Sequence, residues 1–217
     1  MRLSLGSSED RRKKKQEEIS QSKDDSTPSF AKSPKSFFIE LIKIVVIALA
    51  IIIPIRYFLF QPFYVRGASM EPTFQDSEYL IIDEITYRFS DPERGDVIVV
   101  RNPQHESEFF IKRIIALPSE TISIEDGVVT IFSNTLIDGL LLEETYLGDG
   151  VYTSGTVNIK LDEDEYYVLG DNRSVSLDSR AFGPLEKEYL VGRAWLRVWP
   201  FDRFQHFVTP DYQISGM

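Results

Sequence analysis

The sequence predicts a mainly β domain carried behind one apolar helix near the N-terminus. Three observations point there. An apolar stretch, FFIELIKIVVIALAIIIPIRYFLF, runs from Phe37 to Phe60. Beyond it, apolar residues fall in short runs rich in Val, Ile, Tyr and Phe, separated by Gly, Asp and Asn. After residue 60 no amphipathic helical stripe longer than about ten residues stands out, and no internal repeat.

Composition bounds the rest. The 217 residues are 42% hydrophobic and 12% aromatic, which is too rich for a disordered chain and enough for a sizeable core. A formal net charge of −10 argues against nucleic acid as the main partner, because phosphate binding wants a basic surface. The absence of cysteine excludes disulfides, thiolate zinc sites and a cysteine nucleophile.

Residues 1–35 hold 9 Lys+Arg against 6 Asp+Glu, including the run Arg11-Arg12-Lys13-Lys14-Lys15, and are expected to form a mobile, cytoplasmic tail. Residues 36–60 are expected to form a transmembrane anchor. Ile44 to Ile55 carry no charge, and 24 residues from Phe37 to Phe60 at about 1.5 Å rise cover roughly 36 Å of bilayer. Ala48-Leu49-Ala50 has the small-x-small look of a signal cleavage site, but it lies inside the apolar run and Ile51-Ile52-Ile53 follows it. An uncleaved anchor is favoured. The basic flank places the N-terminus in the cytoplasm and residues 61–217 on the extracytoplasmic side, of a plasma membrane or an internal one such as a thylakoid.

Short β-rich runs follow at 79–82, 96–100, 109–111 and 121–124, with further strands expected at 157–161, 166–169 and 192–199. Ser119 to Ile131 reads as a hairpin turning at Asp126-Gly127, a pair that tolerates positive φ. A short helix or turn is expected within 179–189. Residues 61–118 and 165–217 are assigned to one β domain, and 119–164 to a smaller β subdomain or insertion.

Two histidines, His105 and His206, lie in no recognisable nucleophile setting and read as surface residues, and no paired-histidine metal motif is present. Three polar blocks interrupt the apolar pattern instead. Arg66-Gly67-Ala68-Ser69-Met70-Glu71-Pro72-Thr73-Phe74 places a serine after two small residues. Forty-three residues on, Lys112 interrupts the apolar run Phe109-Phe110-Ile111-Lys112-Arg113-Ile114-Ile115. Gly170-Asp171-Asn172-Arg173 through Ser176, Asp178, Ser179, Arg180 and Gly183 is dense in groups that pair or satisfy buried carbonyls. Each block alone also fits an ordinary loop or a solvated strand residue.

Together, in this order and behind an anchor, the blocks resemble the bacterial type I signal peptidases, or leader peptidases. The resemblance runs from about residue 37 to 200 and includes Arg94-Gly95-Asp96-Val97-Ile98-Val99 and Gly192-Arg193-Ala194-Trp195. It implies a signal-peptidase-like β fold and a Ser-Lys dyad serine protease without metal or cofactor. Ser69 matches the nucleophile and Lys112 the general base; Ser176 matches a serine that orients the amine. Asp178 and Arg180 match a bracing ion pair, with Asp171 and Arg113 as further supports. Phe63, Val65, Met70, Phe74, Phe110 and Ile111 match positions lining the pockets for the small residues at −1 and −3. The implied partners are signal peptides of exported preproteins and the lipid bilayer. Some members carry an oxyanion-hole serine where this chain has Gly67, so its hole must rely on backbone N–H groups, that of Ser69 first.

A lysine can serve as base only if it loses its proton near neutral pH. An exposed lysine titrates near ~10.4, so a drop of about 2–3 units needs roughly 3–4 kcal/mol, which desolvation can supply. The amine is therefore expected to contact hydroxyls, Ser69 and Ser176 among them, and no close acid. Two competing readings are a Ser-Lys autoprotease like the SOS-response repressors, against which the anchor and the lack of a helix-turn-helix speak, and a noncatalytic tethered β module, which leaves the three blocks unexplained.

Overall fold

The computed structural model describes residues 34–58, 60–148, 150–210 and 212, and for 34, 54–58 and 60 the backbone alone. The tail expected over 1–35, with its basic run, lies outside the described residues except for Pro34 and Lys35. Helix α1 spans Pro34–Phe58, and its stretch Lys35–Ile53 is long and apolar enough to cross a membrane. Between Phe37 and Ile53 its Phe, Ile, Leu and Val side chains are exposed, which a bilayer would cover. The span was expected to reach residue 60; the helix ends at Phe58, and Phe60 opens a strand because its backbone pairs with Asp83.

The segment from residue 60 onward is mainly β, built on two antiparallel sheets. The larger follows the order β1 (Phe60–Tyr64), β2 (Tyr79–Asp83), β11 (Leu190–Trp199), β3 (Val97–Asn102), β4 (His105–Ala116), β9 (Glu165–Leu169) and β10 (Leu185–Glu186), with β12 (Gln205–His206) beside β11. The smaller follows β7 (Leu140–Leu141), β6 (Val128–Phe132), β5 (Thr121–Glu125) and β8 (Val157–Lys160). The β5–β6 hairpin turns through Asp126 at φ 51° and Gly127 at φ 84°, the left-handed pair that matches strand twist. A single helical turn, α2, covers Ser179–Phe182.

Strand β3 shows why the large sheet is closed on both faces. Side chains alternate along a strand, and Val97 and Val99 pack with Val65, Met70, Phe74, Leu80, Ile82 and Ala194. Their neighbours Ile98 and Val100 pack on the opposite side with Ile114, Tyr166, Val168 and Leu185. The small sheet comes from residues 121–160 alone, yet its core borrows Ile115, Ala116, Tyr167 and Leu169 from β4 and β9. The 12-residue strand β4 therefore serves three clusters, through Ile111, Ile114 and the pair Ile115–Ala116, and its buried stretch opens with Lys112 and Arg113.

Candidate active site

Lys112 sits on β4 opposite Ile98 of β3, between two β strands that leave it 2% exposed. Its Nζ lies 3.0 Å from Ser69 Oγ and donates to the Ile111 carbonyl at 2.8 Å. The Phe110 ring centroid is 5.4 Å from Nζ. Burial pushes the amine down to about 8, against a smaller opposing pull from the Asp178 and Asp171 carboxylates. Among the described residues Lys112 makes no ion pair, so no contact charge cancels the desolvation.

Ser69 stands in the turn after β1, and the third polar block holds its backbone. The Asn172 N–H donates to the Ser69 carbonyl at 3.0 Å. A Cβ on Gly170 would fall 2.5 Å from that carbonyl oxygen, so only glycine lets the two segments approach. Gly170 is itself clamped: its N–H donates to Asp178 Oδ2 at 3.0 Å, and its carbonyl accepts from Arg173 Nε at 3.1 Å. The Asp178 carboxylate accepts from Arg180 Nε and Nη2, both at 2.8 Å. Burial alone would raise Asp178, but the Arg180 hydrogen bonds, the Gly170 N–H and the guanidinium charge outweigh it and hold the carboxyl below its usual range.

Arg113, next along β4, carries the other brace. Its Nε and Nη2 reach Asp171 Oδ1 and Oδ2 at 2.9 and 2.6 Å, and Nη1 donates to the Gly95 carbonyl at 2.8 Å. Thr73 Oγ1 donates to the same Asp171 carboxylate at 2.6 Å. Both ends of the turn 69–73 are thereby tied to the loop 170–180.

Ser176 differs from expectation. Its Oγ is buried and no bond joins it to Lys112, whose amine is set against Ser69 and the Ile111 carbonyl; the hydroxyl instead helps to hold the Asp178 carboxyl down. The hydroxyl is packed on Gly170, where a Cβ would come within 2.2 Å of Oγ.

A cavity of about 330 Å³ opens beside Ser69 and Lys112, walled in part by Phe63, Val65, Phe110 and Ile111. Met70 and Phe74, assigned to the same pockets from the sequence, do not line it. Both are fully buried, and Phe74 packs on Phe207 at 4.4 Å between ring centroids, which turns it into the core. Tyr64, Arg66, Leu80, Val99 and Phe109 complete the wall instead. Gly67 has φ +85°, and its N–H donates to Asp76 Oδ1 at 2.7 Å. Among the described residues the Ser69 N–H donates to no group.

Several contributors escaped the sequence reading. Glu144 pairs with Arg173 through both oxygens, Thr153 accepts from the same guanidinium, and the Arg113 guanidinium stacks 3.8 Å over Tyr146. All three come from the segment 119–164, where irregular loop composition carries no periodic signal. Arg197, 4% exposed on β11, donates to the Thr73 carbonyl at 2.9 Å and to both oxygens of buried Glu78 at 3.0 and 3.2 Å. A hydroxyl facing a desolvated amine, on a turn fixed at several points, has the means for nucleophilic attack with proton abstraction.

The family described as Signal peptidase, peptidase S26 matches residues 38–199. Probable signal peptidase I-2 of Synechocystis sp. is 40% identical over 177 residues, covering 78% of this chain and 77% of that protein. Signal peptidase I P of Bacillus subtilis subsp. natto is 35% identical over 185 residues, covering 81% and 96%. Signal peptidase IB of Staphylococcus aureus is 29% identical over 194 residues, covering 82% and 97%. With three quarters of its length inside the family match, the chain belongs to the S26 family of signal peptidases.

Proposed function

We propose that the chain is a membrane-anchored endopeptidase that removes signal peptides from exported preproteins, with Ser69 as nucleophile and Lys112 as general base. The observation that carries this reading is the 3.0 Å contact between Ser69 Oγ and an amine whose burial brings it to about 8. When the amine is neutral, Oγ–H donates to Nζ. As Oγ attacks the scissile carbonyl, Lys112 takes that proton, and it returns the proton to the departing amine as the C–N bond breaks. Lys112 then deprotonates a water that hydrolyses the Ser69 ester, and the proton goes back to Ser69. The free Ser69 N–H is the backbone donor for the developing oxyanion, because that of Gly67 is held by Asp76.

In this reading Asp171, Arg113, Asp178 and Arg180 act as positioning residues, and Ser176 supplies a second hydroxyl beside the turn. The cavity of about 330 Å³ takes the small side chains at −1 and −3. Helix α1 anchors the chain with the catalytic β domain (61–118 and 165–217) extracytoplasmic and 119–164 as its subdomain. Holding enzyme and signal peptide on one membrane raises their effective concentration without tight binding. A noncatalytic module gives no account of a buried, ion-pair-free amine set against a hydroxyl.

The rate should follow the amine. With a preprotein peptide, kcat/KM should rise with pH as Lys112 loses its proton, with a midpoint near 8 and a plateau above. A flat profile, or a midpoint near the usual histidine value of about 6.5, would remove Lys112 from the role of base. Mass spectrometry of the products locates the cut.

Arg197 supplies a second expected result. Arg197→Lys keeps the charge but cannot serve Thr73, Glu78, Arg203 and Gln205 from one planar fork. The turn carrying Ser69 then loses an anchor, so kcat should fall about tenfold with KM nearly unchanged. Steady-state kinetics on the same peptide check this.

A further inference from the structure

A second cavity, of about 720 Å³, flanks the turn that carries Ser69, walled chiefly by Glu71, Pro72, Val151, Tyr152, Asn172 and Ser174. It shares no wall residue with the cavity beside Lys112. Both of its long walls are nevertheless tied to Ser69. Pro72 is three residues on, so at 3.8 Å per step its Cα lies no more than about 11 Å from that of Ser69. Across the cleft, Asn172 is bonded through its N–H to the Ser69 carbonyl. An extended peptide advancing about 3.3 Å per residue reaches this cleft within some three residues of the reacting hydroxyl.

The third wall is prepared for contact. Tyr152 is 60% exposed, yet its ring is not loose, for it lies against Gly127 in the β5–β6 turn, where a Cβ would come within 2.4 Å of two ring atoms. A ring covered on one side and open on the other offers contact area at little further entropy cost. The charged groups at the floor are already matched, Asp171 by Arg113 and Arg173 by Glu144. Among the described residues Glu71 makes no ion pair, and it is the wall's uncompensated charge.

We propose that this cleft receives the first residues of the mature chain, those just after the cut, as an extended peptide lying along Tyr152, with Glu71 disfavouring acidic residues there. The inference rests on Ser69 as nucleophile. If the smaller cavity holds the residues before the scissile bond, the chain that continues past Ser69 has this cleft as the next concave surface along the turn. The cleft then adds selection on the exported protein itself to selection on its signal.

The test uses the full chain in detergent and two peptides with one common signal-side sequence, one ending a single residue after the cut and the other five residues after it. On the wild-type enzyme the longer peptide should show a KM lower by about tenfold at similar kcat. Tyr152→Ala should remove most of that difference. An Asp placed two residues after the cut should raise KM several-fold on the wild type, and Glu71→Lys should reverse the preference. Equal KM for the two wild-type peptides overturns the proposal without any variant. So does a Tyr152→Ala loss of equal size on both peptides, or a charge preference that Glu71→Lys leaves unaltered. Failure to cut either peptide removes the Ser69 reading, and the cleft's role with it.

Discussion

Lys112→Met should abolish processing and at the same time make the folded chain more stable at neutral pH. The first effect follows from losing the proposed base. With no group within reach to accept the Ser69 proton, turnover should drop by at least about a thousandfold. The second follows from linkage. In the fold the amine titrates near 8, against 10.5 for an unperturbed lysine, so between those values the unfolded chain binds more protons than the folded one. The wild-type fold therefore carries a penalty that is full below about 8, shrinks as pH rises, and is gone above the unfolded value. A methionine of similar length carries no such penalty, which is worth up to about 3 kcal/mol at pH 7. Urea unfolding at pH 7 and pH 10, beside a preprotein cleavage assay, reads both effects. An inactive but destabilised variant would point to damage rather than chemistry, and an active one would end the dyad. Ser69→Ala should match the loss of activity with stability changed by about 0.5 kcal/mol or less.

Asp171→Ala should cost about 3–5 kcal/mol of unfolding free energy, because it leaves the Arg113 guanidinium buried without its counter-ion. The two side chains are 0% and 4% exposed, and the carboxylate accepts two guanidinium bonds and the Thr73 hydroxyl. Removing it also frees one end of the turn that carries Ser69, so kcat should fall along with stability. Replacing both partners, Arg113→Met with Asp171→Leu, should restore most of the lost stability but not the activity. A double-variant loss equal to the sum of the two single losses would show that the pair is not coupled. Denaturant titrations of the wild type, Arg113→Met, Asp171→Leu and the double variant complete the cycle.

The strands were readable because their signal is local. Alternating β-branched and aromatic residues between turn formers marked 79–82, 96–100 and 121–124, and strands occupy those positions. The Asp126-Gly127 turn was readable for the same reason. The apolar run of residues 37–60 marked a helix, though not its end, since Phe60 is claimed by strand pairing with Asp83. Contacts between distant segments were harder. Met70 and Phe74 have the apolar character of pocket residues, and nothing local says that Phe207, 133 positions beyond Phe74, draws that ring into the core. Glu144, Thr153 and Tyr146 sit in loops without periodicity, and their importance comes from Arg173 and Arg113, which they meet only in the fold.

Composition and order alone pointed to an apolar helix near the N-terminus, a β-rich remainder, and three polar blocks, all of which fall inside the S26 family match. Tertiary structure decided which polar groups meet and how dry they are. Ser69 and Lys112 are 43 residues apart, and Thr73 and Asp171 are 98 apart. A residue's backbone preference is set by its neighbours in sequence, whereas its proton affinity is set by its neighbours in space. The amine of Lys112 is brought down to about 8 only because the fold around β4 takes the water away from it.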